Sequence, residues 1–306
     1  MAQTFADLTE QHGGRLIQPL LALYLRHTAT SVLAEPPTSN TTPDLLTATA
    51  QLAHLLARAT DDSGHKGLAQ QYFRLSARLA ANAADTRQYS IALRAMSSQA
   101  LSLRHLPQAA TLAEAAAHAL GRHVDSTARA FVLVQRALTR ALTGQRKQAM
   151  HDLNAAERHH ERATNAPGPF GGYSRASLDY QRFRVLHALD DTKAALDALQ
   201  SSASRRAPGE RRALALTHAR LAELHMSAGL IDKAVAHAEA FLGLYSYLHS
   251  ADADAAHQHL QQSLARYPRH PRAAALYEQG RNAHPPAPAS RRPCAGRTSE
   301  TPHADQ

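Results

Sequence analysis

One phrase recurs five times in this chain of 306 residues and limits what it can fold into. A short turn leads into an alanine, with small or apolar residues four and seven places further on. It occupies residues 64–69 with Phe73 and Ser76, then 105–109 with Ala113 and Ala116. It returns at 144–149 with Leu153 and Ala156, at 190–195 with Leu199, and at 229–234 with Ala238 and Phe241. The five alanines, Ala69, Ala109, Ala149, Ala195 and Ala234, stand 40, 40, 46 and 39 residues apart. The long interval holds residues 165–172, a Pro- and Gly-rich stretch that reads as a loop insertion. Periods of this size are the signature of a repeat array.

Each copy follows another amphipathic stretch. Leu52, Ala53, Leu56 and Ala57 precede the first, and Leu93, Met96, Ser97 and Ala100 the second. Leu178, Tyr180, Phe183 and Val185 precede the fourth, and Leu214, Leu221, Ala222 and Leu224 the fifth. Spacings of three and four put one apolar stripe on one helix face. Each repeat is therefore two antiparallel helices, and the recurring alanine lies where the second approaches the first. Ala149 is expected at such a contact, whereas Ala128, near a helix start, is expected to have more room. Composition agrees: 44% of residues are hydrophobic but only 5% aromatic, with no Trp and few β-branched residues. Such a chain favours helix and excludes an extended β protein. The expected fold is all-α, a helical-hairpin repeat superhelix (an α-solenoid), with an unspecific helical bundle as the alternative. A lone pair of helices cannot bury its stripe, so neighbours must stack into one seam.

These residues resemble the tetratricopeptide repeat, TPR, and the best single match is Ala256, Leu260, Ser263 and Pro268. The intervals near 40 and the missing Trp and Tyr positions mark the copies as divergent. A longer likeness runs from about residue 5 to 280. Residues 68–80, 96–100 and 250–271 (with Leu260, Leu264, Tyr267, His270 and Pro271) are similar to the C-terminal sensor region of actinobacterial XRE-type transcriptional regulators. That resemblance implies a TPR-like region that follows a helix-turn-helix head. Residues 1–35 do not supply such a head. A DNA-reading module needs a compact trihelical core and a short polar recognition helix, whereas Leu16, Leu20, Leu23, Tyr24 and Leu25 read as a packing stripe. The implied role is thus sensing or interaction.

The chain divides into an N-terminal packing helix at 1–35, a linker at 36–43, a repeat array at 44–280 and a tail at 281–306. The tail carries five of the fifteen prolines and no apolar periodicity, and is expected to be disordered. It also holds the single cysteine, Cys294, so a disulfide framework or multi-Cys metal site is excluded. No basic-then-apolar leader and no long apolar run are present, which points to a cytoplasmic protein without a membrane partner. The net charge of +9 invites a nucleic-acid reading. However, 30 of the 34 basic residues are arginine, the bias a GC-rich genome produces by itself.

No motif marks a catalytic site. Twenty histidines include His159–His160, His218 with His225, and His257 with His259, but no H-E-x-x-H. Adjacent helical residues point about 100° apart, so the His159–His160 pair does not share a metal easily. Neither Gly13–Gly14 nor Gly171–Gly172 has the context of a phosphate loop, and no G-x-S-x-G elbow exists. No metal, cofactor or enzyme activity is expected. In a TPR-like superhelix the first helix of each pair lines the concave groove. Taking the recurring alanine as ruler, groove residues are His54, Arg58, Arg94, Ser98, Tyr180, Arg184 and His187. The third repeat nominates none, because its register is uncertain by one residue. Arginine there suits a carboxylate, since its planar fork matches two oxygens. The partner is then a peptide, a protein segment (a separately encoded DNA-binding protein among them) or a small ligand. The alternative is a basic regulator acting directly on DNA, for which only weak, non-specific association is expected.

Overall fold

A computed structural model describes residues 1–34, 42–121, 124–163 and 173–283, with side chains omitted at 28–34 and 42. The expected insertion at 165–172, most of the 36–43 linker and the tail from 284 onward lie outside the described residues. Within them the chain forms fourteen α-helices and no strand. These are α1 (Ala2–His12), α2 (Gly14–Ala34), α3 (Thr42–Asp62), α4 (Lys66–Asn82), α5 (Thr86–Ser102), α6 (Leu106–Ala119) and α7 (Ser126–Leu142). They continue as α8 (Arg146–Glu161), α9 (Arg175–Ala188), α10 (Thr192–Arg205), α11 (Arg211–Ser227), α12 (Ile231–Tyr245), α13 (Ala251–Leu264) and α14 (Pro271–Asn282). Successive helices pair as antiparallel hairpins, most extensively α3–α4, α5–α6, α7–α8, α9–α10 and α11–α12, and each hairpin stacks on the next. The protein is an all-α solenoid of TPR-like hairpins.

The recurring phrase builds one turn, used five times. After the first helix comes a residue with positive φ: Gly64, Arg104, Gly144, Asp190 or Gly229. The residue beyond it donates its backbone N–H to a carbonyl five positions back, as in His105 to Ala100 or Gln145 to Arg140. This left-handed reversal satisfies the carbonyls that a helix end leaves open. Each alanine then donates its own N–H to that same residue, Ala69 to His65 and Ala149 to Gln145, opening the second helix. All five alanines are closed from solvent (0–1% exposed), because the two backbones meet there. Ala128 departs from expectation: it is 2% exposed, as tightly closed as Ala149, because the start of α7 is packed inside the stack.

One other expectation needs correction. On α2, Ile17 and Leu21 face inward, while Leu16, Leu20 and Leu23 are about half exposed. Among the other helices α2 packs chiefly on α1 and α3, so only one of its faces is covered. The Ala256–Pro268 match falls on α13, the first helix of the last hairpin, with Pro268 in the turn before α14.

The array curves until its ends meet. Helix α1 packs against both α3 and α11, bringing the first hairpin onto the sixth. Asp62, at the end of α3, forms the knot. Its Oδ1 accepts from Arg212 Nη2 at 2.6 Å, Arg212 Nε at 2.8 Å and Ser250 Oγ at 2.6 Å, while its Oδ2 accepts from Gly14 N at 2.6 Å. Arg212 also reaches Asp252 at 2.7 Å, and Arg15 reaches Asp254 at 2.7 Å. Backbone bonds from His249 N to His12 O and Arg15 N to His249 O complete the clasp. Gly13 and Gly14 form the corner because any Cβ there would strike the backbone of His249 or of Ala59.

Candidate functional site

The first helices of successive hairpins stack side by side in one layer, α3 on α5, α5 on α7 and α7 on α9, and this layer forms the inner side of the curved array. Interactions between helices far apart in the chain identify that face. Arg58 of α3 bonds Glu10 of α1 at 2.9 Å. The Arg94 guanidinium of α5 lies over the Phe131 ring of α7, 3.9 Å from its centroid. Phe131 meets the ring of Tyr173, just before α9, edge-on at 5.2 Å. Arg94 is within electrostatic reach of Arg58, Tyr173 and Arg184, and Arg184 of α9 is in turn within reach of Tyr180 and of Arg220 on α11. Every one of these residues sits on, or immediately before, an odd-numbered helix.

Four of the seven residues nominated from sequence are brought together here: Arg58, Arg94, Tyr180 and Arg184. Tyr180 is half-buried against Phe183, with ring centroids 5.8 Å apart. Ser98 lies one turn beyond Arg94 on α5 and is half-buried. His187 is exposed, its ring stacked on Phe183 at 5.6 Å. His54 belongs to the interior of its hairpin: it is 1% exposed and edge-on to Phe73 of α4. Burial, followed by the charges of Arg58 and Arg94, pushes its imidazole down to about 3. It is therefore neutral at pH 7 and acts as a core residue.

Sequence reasoning missed Phe131, Tyr173, Arg220 and Glu10. Phe131 stands in the third repeat, where the missing register prevented a nomination. Tyr173 follows the insertion, where no periodicity operates. Glu10 comes from α1, outside the repeat phrase altogether.

The electrostatics of the face are one-sided. Burial first, and the Arg184 and Arg58 charges with it, lower the Arg94 guanidinium to about 10, although Tyr173 opposes them. Burial also lowers Arg184, reinforced by Arg220. Burial raises the Tyr173 phenol above its ordinary value, against the pull of Arg94, Arg206 and Arg184. An arginine guanidinium keeps its charge at neutral pH, and the Tyr173 phenol, pushed up by burial, keeps its proton. Two separate surface concavities, of about 510 Å³ around Arg266–Pro271 and about 260 Å³ between α9 and α10, do not include Arg94, Tyr173 or Arg184. Among the described residues no group of three or more His, Cys, Asp or Glu is placed to hold a metal ion. No described helix is long and apolar enough to cross a membrane.

No family model matches the sequence, and no curated protein matches it. Among solved structures, the chain is similar to one in the crystal structure of the APC/C hetero-tetramer Cut9–Hcn1. The two are 14% identical, with a TM-score of 0.32. The likeness covers 89% of this chain but 53% of the other, so this chain spans about half the length of its neighbour. At that level of similarity the assignment to TPR-like hairpins stands on the repeated turn, the buried alanines and the stacking described above.

Proposed function

We propose that this chain is a non-enzymatic repeat scaffold whose concave face receives a segment of a protein partner, a peptide or a small ligand. The observation that carries the reading is that Arg58, Arg94 and Arg184 stand on the first helices of three different hairpins, with Arg94 within electrostatic reach of the other two. Charge gathered from distant points of the chain on one concave face is the arrangement a binding surface requires. A regulatory role, related to the sensor regions of XRE-type transcriptional regulators, is supported by the resemblance of residues 68–80, 96–100 and 250–271.

The test replaces Arg58, Arg94 and Arg184 together by Ala. Capture of partners on immobilised protein is expected to fall to background, with helicity by circular dichroism unchanged. Loss of folding would make these arginines structural and remove the groove assignment. The opposing reading, direct action on DNA, wins if the protein selects one sequence from a random duplex pool. That selection would have to survive salt near 0.2 M, because non-specific phosphate contacts weaken steeply as salt rises.

A further inference from the structure

Arginine is abundant in this protein, and most of its described arginines meet an acid or, like Arg129 and Arg211, backbone carbonyls. Arg136 and Arg140 grip the buried Asp152 and share Glu114. Arg175 and Arg205 hold Asp179, and Arg206 pairs with Glu210. Arg212 holds Asp62 and Asp252, and Arg58 holds Glu10. Two residues of the concave face break this rule. Arg94 makes no hydrogen bond or ion pair with any described residue, and its Nε is buried without a partner. Its one packing contact of note is the Phe131 face. Arg184 donates only to Gln181 Oε1, at 3.2 Å, a neutral acceptor on its own helix.

A third group joins them. The Tyr173 hydroxyl is closed from water and has no hydrogen-bond partner among the described residues. Its ring is fixed by edge-on contacts with Phe131 at 5.2 Å and His160 at 5.9 Å. The backbone carbonyl of Tyr173 meets His160 Nε2 at 2.8 Å. Asp179 also lies within electrostatic reach of the phenol, but its two oxygens are committed to Arg175 and Arg205. Arg94 and Tyr173 meet on the Phe131 ring, Arg184 lies within electrostatic reach of both, and none of the three has an acid as a hydrogen-bond partner: a set of donors without an acceptor. Unpaired inward charges of one sign disfavour the folded state, and proteins keep such arrangements chiefly where function needs them.

We propose that Arg94, Arg184 and Tyr173 form an oxyanion site on the concave face, taking a carboxylate or phosphate group of the bound molecule. The assignment rests on the concave face being the binding surface, and it deepens that reading by naming the chemistry recognised. Arginine suits both groups because its fork offers parallel N–H donors to two oxygens. The phenol supplies one more O–H. The Phe131 ring, already capped by Arg94, gives the oxyanion an apolar backing that limits competition from water.

Thermal melts of the full chain in citrate, in inorganic phosphate and in NaCl at matched ionic strength test the assignment. Citrate stands for a carboxylate source and phosphate for a phosphoryl source. The one that raises the melting temperature more identifies the group preferred. A rise of about 5 °C beyond NaCl is expected for the wild type at saturating anion, since a ligand that binds only the folded state stabilises it by mass action. Arg184→Gln is expected to lose that rise and to melt without anion no lower than the wild type, because it removes an unpaired like charge. Tyr173→Phe, which keeps the ring and its packing, is expected to halve the rise. An equal rise in NaCl, an undiminished rise in Arg184→Gln, or a variant that melts several degrees lower in NaCl overturns the site. Partner capture that survives Arg184→Gln but fails in the Arg58, Arg94, Arg184 triple variant would defeat the oxyanion site alone and leave the groove reading standing. An anion response without any capture would do the reverse.

Discussion

His237 of α12 shows how much a single side chain's surroundings decide. It stacks on His225 with ring centroids 5.4 Å apart, and its Nδ1 meets His218 Nδ1 at 3.1 Å. Burial first, then the His218 and His225 charges, lower its imidazole to about 4. His218 and His225 are lowered as well, chiefly by burial. The folded state therefore binds fewer protons than the unfolded one between the ordinary histidine value near 6.5 and about 4. Stability from this cluster is present above about pH 6.5 and is lost as pH falls toward about 4. His237→Gln is expected to flatten part of that decline in melts recorded from pH 7 to 4. An unchanged slope would show that the cluster does not couple to folding. From sequence, His218 and His225 were legible as neighbours on one helix face. The third ring was not, because α12 brings it in from 12 to 19 residues away.

At the scale of the helix and its turn, nearly everything was legible. The phrase of turn and alanine encodes a local hydrogen-bonding pattern, and local patterns repeat wherever their residues do. Three of the five hairpin turns place glycine at the left-handed position, where it meets no steric penalty. Arg104 and Asp190 occupy the same position with φ of +63° and +59°. A left-handed conformation costs an ordinary L-residue roughly 1–2 kcal/mol. Arg104 has no hydrogen bond from its side chain to a described residue to offset that cost. Arg104→Gly is expected to stabilise the protein by about 1 kcal/mol, read as a higher midpoint in urea, the glycine's own chain entropy taking back part of the gain. A lower midpoint would mean that the Arg104 side chain contributes more than its backbone costs. What the element scale hid was α2. Its leucines repeat at helical spacing on more than one face, and periodicity does not say which face meets a neighbour.

At the scale of the whole molecule, the clasp decides the shape. Asp62 is 3% exposed and joins groups that lie 48, 150 and 188 residues away. Burial by itself would raise its carboxyl, but the Arg212 charge and the bonds from Arg212, Ser250 and Gly14 bring it below the usual range. Removing one partner from such a buried pair leaves the other uncompensated and costs about 3–5 kcal/mol. Asp62→Ala is expected to lower stability by that order in urea and to increase the radius of gyration in solution scattering, as α1 leaves α11. A large loss of stability with an unchanged radius would mean that the clasp holds the array together without setting its curvature. Opening would also carry Glu10, together with its partner Arg58, away from α11, so the clasp and the concave face are expected to respond together.

The sequence by itself determined the helices, their pairing, the turn between them and the closed alanine contacts, because each depends on residues within about 40 positions of one another. It also placed Arg58, Arg94 and Arg184 on first helices, since the alanine ruler counts along a regular lattice. Closure of the superhelix was decided only in three dimensions. Gly13 and Gly14 read as a mere break until His249 and Ala59 arrive against them, and Arg212 reads as one arginine among thirty until Asp62 reaches it. The same holds for which arginines stay unpaired. Whether an arginine meets an acid depends on curvature summed over several hairpins, and small rotations at each interface add up to a geometry that no local pattern specifies.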